Sequence, residues 1–576
     1  MALVASAIGA LVGIAGADPP APTFEPKRDF VTGDAPASVV VGDLSGDGLP
    51  DIALAESGSP GGVSVRLGNG TGGLQPKVTF ASGRPTSSVA IGDMNGDDVP
   101  DLVAGRSDGA EETLYVLLGT GGGWFAQGEE LSVGPNPFSV VLSDLNGDDH
   151  LDVVVGSVDY TGFSPGGVGV LLGDGAGGLE QGAGYGAGQL PSSIALADLN
   201  GDGRLDMVTT DFLSTLDLDN PDPPGVSVRL GNGAGGFGSA TDYLASIAYP
   251  TSVALADLNS DGKVDLAFVN AELDGGGAVR LGDGAGGFGA EIPFDTGSNP
   301  RSVAGGDVTR DGLADLVVTN SGSNTVSVLR GDGSGDFGVR TDVMTGTRPV
   351  SAAIADLNGA GGPDLVVANY DSNTVSVLLN TSPTLPAAPT ILRNATAGNA
   401  QATVSWTPPA SNGGSPITGY VVTPFVGYYP LPSVAFASTA TAQTLAGLTN
   451  GTTYRFKVAA LNAVGTGPKS KVTNPVTPAQ TAPNAPTIGS ATPGSGEATV
   501  SWTPPVSDGG AAITGYVVTP YIGYFPLAPT VFASTATVQT ITGLANGTTY
   551  RFRVRAINAV GTGAYSKVTN PATPTA

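Results

Sequence analysis

DLNGDGRLD, Asp198 to Asp206, carries oxygen-bearing side chains at positions 1, 3, 5 and 9 of nine residues and a glycine at position 6. The same grammar begins at Asp43, Asp93, Asp144, Asp257 and Asp307, and in a thinner form at Asp356, at successive intervals of 50, 51, 54, 59, 50 and 49 residues. A period of that length accommodates one four-stranded unit and is too long for a single hairpin. The residues before and after each loop, such as SVVLSD and LDVVVGS, are short apolar and β-branched runs rather than amphipathic helices. The loop therefore joins two strands, and seven copies predict an all-β, seven-bladed β-propeller.

The residue types in the loop suit a hard cation. Side-chain oxygens at positions 1, 3, 5 and 9, with the backbone carbonyl at position 7, supply an oxygen-only shell of the kind calcium prefers. The six complete loops give six candidate sets: Asp43, Ser45, Asp47, Leu49 and Asp51; Asp93, Asn95, Asp97, Val99 and Asp101; Asp144, Asn146, Asp148, His150 and Asp152; Asp198, Asn200, Asp202, Arg204 and Asp206; Asp257, Asn259, Asp261, Lys263 and Asp265; Asp307, Thr309, Asp311, Leu313 and Asp315. Without a cation the three clustered carboxylates of each set repel one another. Position 6 needs a sharp turn and is Gly48, Gly203, Gly262 and Gly312 in four loops, with Asp98 and Asp149 in two others. The seventh loop, DLNGAGGPD, has Ala360 in place of the third ligand, so about six Ca2+ sites are expected, and Asp364 is expected to matter less than Asp202.

A second strand in each unit runs into a glycine-rich turn, as in VSVRLGNGTGG and VGVLLGDGAGG, where residues with positive φ are expected to close a hairpin. These loops and turns resemble the FG-GAP repeats of integrin α-subunit propellers and of many secreted bacterial proteins, over residues 22–381. The resemblance implies calcium-bearing blades closed into a ring. The seventh unit stops at Val375–Asn380 without a fourth strand. Near the N-terminus, Phe24, Phe30, Gly33, Pro36 and Asp43 match Phe288, Phe294, Gly297, Pro300 and Asp307 at a constant offset of 264. The N-terminal strand is thus expected to complete the last blade and remove the open edge.

From Pro386 a different module appears twice. Trp406, Tyr420, Leu448, Tyr454 and Asn462 recur as Trp502, Tyr516, Leu544, Tyr550 and Asn558 at an offset of 96. This arrangement resembles a tandem of fibronectin type III domains, over 386–478 and 483–576, with a strand B tryptophan, a strand C tyrosine and a tyrosine corner serving as core. FVGYYPL (Phe425 to Leu431) and YIGYFPL (Tyr521 to Leu527) crowd aromatic rings into a strand C to C′ turn, where they can pack modules together or stack on sugars.

Composition bounds the function. The chain of 576 residues has no cysteine, one histidine and a formal charge of −27. Residues 1–385 hold 49 acids against 15 Lys and Arg, and the remainder holds 2 against 9. Such an acidic repeat region is a poor partner for nucleic acid. Residues 1–17, apolar and ending Ala15-Gly16-Ala17, read as a signal peptide, which implies a secreted protein with no transmembrane segment in the mature chain. The single histidine occupies position 7 of a loop, which excludes Ser-His-Asp chemistry and histidine-ligated metal catalysis, and no pair of carboxylates stands out as a glycosidase couple. The sequence reads as a monomeric, non-enzymatic binding or adhesion protein for an extracellular glycan or protein, with a lectin-like or glycoside-hydrolysing component of polysaccharide breakdown as the alternative. An RGD triplet at Arg330–Asp332 reads as one substitution in a hairpin rather than an adhesion signal. The long links of the third and fourth blades, on the face opposite the calcium loops, supply the candidate ligand residues Asp159, Tyr160, Phe163, Phe212, Asp217 and Asp219.

Overall fold

The computed structural model describes residues 21–81, 83–106, 113–133, 136–157, 167–186, 191–211, 225–245, 249–272, 274–360, 362–392 and 395–576. These form two compact units, residues 1–384 and 385–576. All regular structure among them is β, and no helix is long and apolar enough to cross a membrane. The candidate signal peptide and the six candidate ligand residues Asp159, Tyr160, Phe163, Phe212, Asp217 and Asp219 lie outside the described residues.

The first unit holds seven four-stranded antiparallel sheets. Blade one is typical: Pro36–Gly42, Asp51–Glu56, Gly62–Arg66 and Val78–Phe80 follow one another across the sheet. The second strands, such as DIALAE, DLAFVN and DLVVTN, are buried at every residue because each lies between two neighbouring sheets. Burial on both faces explains why they read as continuous apolar runs instead of alternating ones. Fourth strands, such as Phe337–Met344, are largely exposed, and their sequences are correspondingly polar.

Closure of the ring is visible in the packing. Among the described residues one apolar cluster fills each interface between consecutive sheets. Leu102, Tyr115 and Leu117 of blade two pack with Ala53, Ala55 and Val65 of blade one, and so on round the series. A final cluster joins Ile52 and Leu54 of blade one to Val366, Val375 and Val377 of blade seven. The strand order of the seventh sheet is Arg28–Val31, Thr374–Leu378, Asp364–Asn369, Pro349–Ala355. Arg28 pairs with Val377 and Val31 with Thr374, and a further bridge links Phe24 to Asn380. The N-terminal strand occupies the vacant fourth place, as the offset of 264 implied.

The second unit contains two sandwiches. Trp406 meets Tyr420 edge-on at 4.9 Å and Trp502 meets Tyr516 at 5.0 Å in the two cores. The tyrosine corners form as expected, with the Tyr454 and Tyr550 hydroxyls accepting from the backbone N–H of Thr449 and Ala545 at 3.1 Å each.

Candidate metal centres

Each acidic loop leaves the first strand of its blade and enters the second. In blade four Asp198 follows the strand Pro191–Ala197, and Asp206 begins the strand Asp206–Asp211. Asp198 organises the turn. Its Oδ1 accepts from the N–H of Gly201 (2.7 Å) and Asp202 (3.2 Å), and its Oδ2 from Gly203 (2.8 Å). Asn200 Oδ1 accepts from Asp202 N–H, and Asp202 Oδ1 from Arg204 N–H, each at 2.9 Å. Near-identical bonds recur in loop one through Asp43 and Asp47, and in loops two and three through Asp93 and Asp144. At Asp144 and Asp198 burial is the largest single influence and acts upward, yet four backbone N–H donors at each hold the carboxyl below the ordinary aspartate range.

Position 6 adopts the left-handed conformation in all six complete loops, with φ from 64° at Asp98 to 87° at Gly312. Position 4 does so as well, which the pattern did not single out: Gly46, Gly96, Gly147 and Gly201 share the conformation with Ser260 and Arg310.

Position 9 has a role the sequence reading missed. Asp51, Asp101, Asp152, Asp206, Asp265, Asp315 and Asp364 have no exposed surface at all. Asp206 Oδ2 accepts from Leu199 N–H (3.0 Å), within the loop, and Oδ1 accepts from Gly231 N–H (2.8 Å), where the third strand ends. The carboxylate thus stitches the acidic loop to the glycine-rich turn of its own blade. Gly68, Gly119, Gly173, Gly282 and Gly331 make the same donation in their blades, and Asn380 makes it in the seventh.

These glycines do not supply positive φ, which falls instead on later turn residues such as Gly70 and Gly72. They allow close approach. A Cβ at Gly231 would lie 2.1 Å from the carbonyl oxygen of Leu205, and one at Gly68 2.1 Å from that of Pro50. Gly231→Ala is expected to destabilise the propeller by about 2 kcal/mol or more, through the clash and the strained bond to buried Asp206. Gly184→Ala, with nothing near and no positive φ, should change stability by less than about 1 kcal/mol. Denaturant melts of the two variants check the contrast.

The electrostatics leave room for a cation. Burial raises the carboxyls of Asp51, Asp101, Asp152, Asp206 and Asp265. Backbone donors oppose the rise, and neighbouring loop carboxylates add to it. Asp315 and Asp364 are pushed up to about 6 by burial in the same way. No Lys or Arg forms an ion pair with any of the seven among the described residues. Ser45 Oγ and Thr309 Oγ1, at position 3 of loops one and six, are buried without a hydrogen-bond partner. Each lies beside the position-9 carboxylate of its own loop, close enough to ease its ionisation yet out of hydrogen-bond alignment.

Among the described residues no three acidic, cysteine or histidine side chains stand gathered in ligating geometry, because positions 1, 5 and 9 are each turned to backbone N–H groups. The donor set is all oxygen, locally over-anionic and partly unpaired, and it fits a hard divalent ion. Loop seven differs. Asp356 receives Arg310 Nη2 from loop six at 3.2 Å, so a guanidinium takes up charge where Ala360 removes a ligand. The His150 ring, carried at position 7 of the third loop, lies 3.7 Å from Asp148 and over Gly175 of the glycine-rich turn. In the RGD triplet, Arg330 Nε faces Asp311 of loop six at 3.7 Å. Asp332 accepts from Ser334 N–H and Oγ, so both ends of the triplet serve the hairpin.

In the sandwiches the strand Gly419–Val426 turns through Gly427 into Tyr429–Pro430, and Gly515–Ile522 turns through Gly523 into Phe525–Pro526. Tyr428, Tyr429, Tyr524 and Phe525 are 97%, 80%, 98% and 79% exposed. The rings therefore do not pack the two modules together, which removes one of the two roles considered for them.

Comparison with known proteins agrees with this architecture. The FG-GAP-like repeat matches residues 43–104, 261–318 and 307–367, and the Fibronectin type III domain matches 387–476 and 482–572. Exoglucanase B of Cellulomonas fimi is 35% identical over 184 residues, which is 31% of this chain and 16% of that protein. Chitinase A1 of Niallia circulans is 36% identical over 187 residues, 31% of this chain and 24% of that protein. Fibronectin type-III domain-containing protein 3A of Homo sapiens is 33% identical over 173 residues, 29% of this chain and 14% of that protein. The chain thus spans less than a quarter of the length of each of these relatives. Among solved structures, the chicken CNTN1 FN1–FN3 domains align over 33% of this chain and 67% of their own, at 19% identity and a TM-score of 0.19. The chain is built of FG-GAP-like repeats followed by two fibronectin type III domains.

Proposed function

We propose that this protein is secreted and acts outside the cell as a non-enzymatic, calcium-dependent binding protein for polysaccharide. In this reading calcium in six loops holds the blades in register. Recognition falls to the propeller face opposite those loops and to the aromatic tips of the two fibronectin-like domains. The observation that carries the glycan reading is the set of four rings exposed at equivalent hairpin tips. Each is a rigid, amphipathic surface with few rotamers to lose, and such rings bury on the order of 150–250 Å² when covered. Lys457 and Arg553 lie over Phe425 and Tyr521 at 5.6 Å, so a cation braces the base of each hairpin and leaves the tip free. Relatives named as an exoglucanase and a chitinase support a β-linked polysaccharide as the first ligand class to try.

The test is a depletion assay of the calcium-loaded full chain on microcrystalline cellulose and on chitin. Retention is expected on at least one of them, without release of reducing ends. Changing Tyr428, Tyr429, Tyr524 and Phe525 together to Ala should weaken retention by at least about tenfold and leave the melting profile unchanged, because the rings support no core. Equal retention by that variant would remove the tips from the binding surface.

A further inference from the structure

Each first strand of the propeller begins with a β-bulge at its second residue. The register shifts between Pro36 and Ser38, Thr86 and Ser88, Pro137 and Ser139, Pro191 and Ser193, Pro250 and Ser252, Pro300 and Ser302, and Pro349 and Ser351. A bulge re-aims the side chain it frees. In three blades the re-aimed group is a hydroxyl that bonds to the opening residue of the next blade: Ser87 to the Pro137 carbonyl, Ser192 to that of Pro250 at 2.7 Å, and Thr251 to that of Pro300 at 3.4 Å. The position thus faces the neighbouring blade, at the end of the strand away from the metal loop.

In blade six this position is Arg301, the one cation among the seven. Among the described residues it has no hydrogen bond, ion pair or ring partner, and its Nε is buried and unsatisfied. Its terminal nitrogens are not among the closed-off atoms, so the fork remains open at its outer end. Burial, and after it the Arg348 guanidinium across the interface, lowers its pKa. Arg348 is held in a left-handed corner with φ of 56°, over the Tyr370 ring at 4.5 Å, and it meets one carboxylate, Asp371, at 3.4 Å. Arg348 directly precedes Pro349, the opening residue of blade seven and the counterpart of the Pro300 that Thr251 reaches. A buried Nε–H without an acceptor is costly to keep.

We propose that Arg301 and Arg348 form an oxyanion site between blades six and seven, on the face opposite the metal loops, which takes a carboxylate or sulfate of an acidic glycan. The planar fork of Arg301 suits bidentate capture of such a group. The propeller is strongly acidic overall, so the site selects by local geometry against the long-range field. The glycan class rests on the reading given under Proposed function, whereas the oxyanion chemistry rests on the two arginines.

Isothermal titration of the calcium-loaded full chain with a galacturonate oligosaccharide, a sulfated galactose oligosaccharide and the neutral galactose oligosaccharide tests this. One of the acidic probes should bind with an affinity that falls with salt, and the neutral probe should not bind. Arg301→Gln should weaken the acidic probe by at least about tenfold. It should not lower the melting temperature, because it removes an unpaired charge, and Arg348→Gln should weaken binding too. Unchanged affinity in Arg301→Gln, a fall in its melting temperature without loss of affinity, or no binding of either acidic probe overturns the site. Equal binding of a polyglutamate peptide overturns the glycan class. The tip variant with all four rings changed to Ala should still bind the acidic probe. That outcome, with no retention of any variant on cellulose or chitin, sinks the tip reading and leaves the arginine site standing.

Discussion

Chelating calcium is expected to lower the melting temperature of the propeller by about 20 °C while the fibronectin-like domains melt unchanged. The size follows from mass action: an ion present at a hundred times its dissociation constant adds roughly 2.7 kcal/mol per site, so six sites sum to on the order of 15 kcal/mol. For a unit of this size each kcal/mol moves the midpoint by roughly 1–2 °C. The physical origin lies in the position-9 aspartates, buried beside other carboxylates and met chiefly by backbone N–H groups, with no ion pair to a Lys or Arg among the described residues. Differential scanning calorimetry with and without chelator decides the matter, and coincident propeller transitions would defeat the proposal. Asp202→Ala is the informative substitution, because Asp202 is exposed and gives up no buried contact. Asp364 is the wrong comparator. The sequence suggests that it matters little, yet it is wholly buried and accepts from Leu357 and Asn380 N–H, so Asp364→Ala should destabilise the protein even in chelator, by about 2–4 kcal/mol.

Deleting residues 22–33 is expected to convert a monomer into aggregates. The segment supplies the fourth strand of blade seven, packs Phe30 against the cluster shared by blades seven and one, and places that ring under Arg66 at 5.8 Å. Its outer residues add bonds from Thr23 N–H to Ser382 Oγ at 3.0 Å and from Glu25 N–H to the Leu379 carbonyl at 2.8 Å. Without it the run VSVLL, Val375 to Leu379, becomes an edge strand, β-branched, uncharged and free of proline. Size-exclusion chromatography with light scattering reads the outcome. A truncated chain that stays monomeric with an unchanged melting temperature would show that the other blade contacts suffice for closure.

The fold was legible because its grammar is periodic. The acidic loops mark every blade corner, the continuous apolar second strands mark the interfaces, and the offset of 264 pairs segments that no local pattern would join. Trp406, Tyr420 and Tyr454 likewise announced the sandwich core at their spacing. What the pattern concealed are relations between loops. The bond from Gly231 to Asp206 crosses from one turn to another, and the need for glycine there comes from the Leu205 carbonyl rather than from backbone φ. The Arg310 to Asp356 contact crosses a blade boundary, where no periodicity in the chain predicts which side chains meet.

The closing strand also sets an order of events. Thr23 and Ser382 bond across a sequence separation of 359. The first segment of the propeller to emerge during synthesis therefore waits for the last, and six blades must remain an open arc until then. Contacts of such sequence separation are slow to form, because the loop-closure entropy is lost before the contact is gained. The arc exposes the apolar face of blade one, Ile52 and Leu54, which blade seven later covers. A chain that folds only after its synthesis is complete keeps the two ends unfolded together, so they can meet without a long-lived, half-built ring in between.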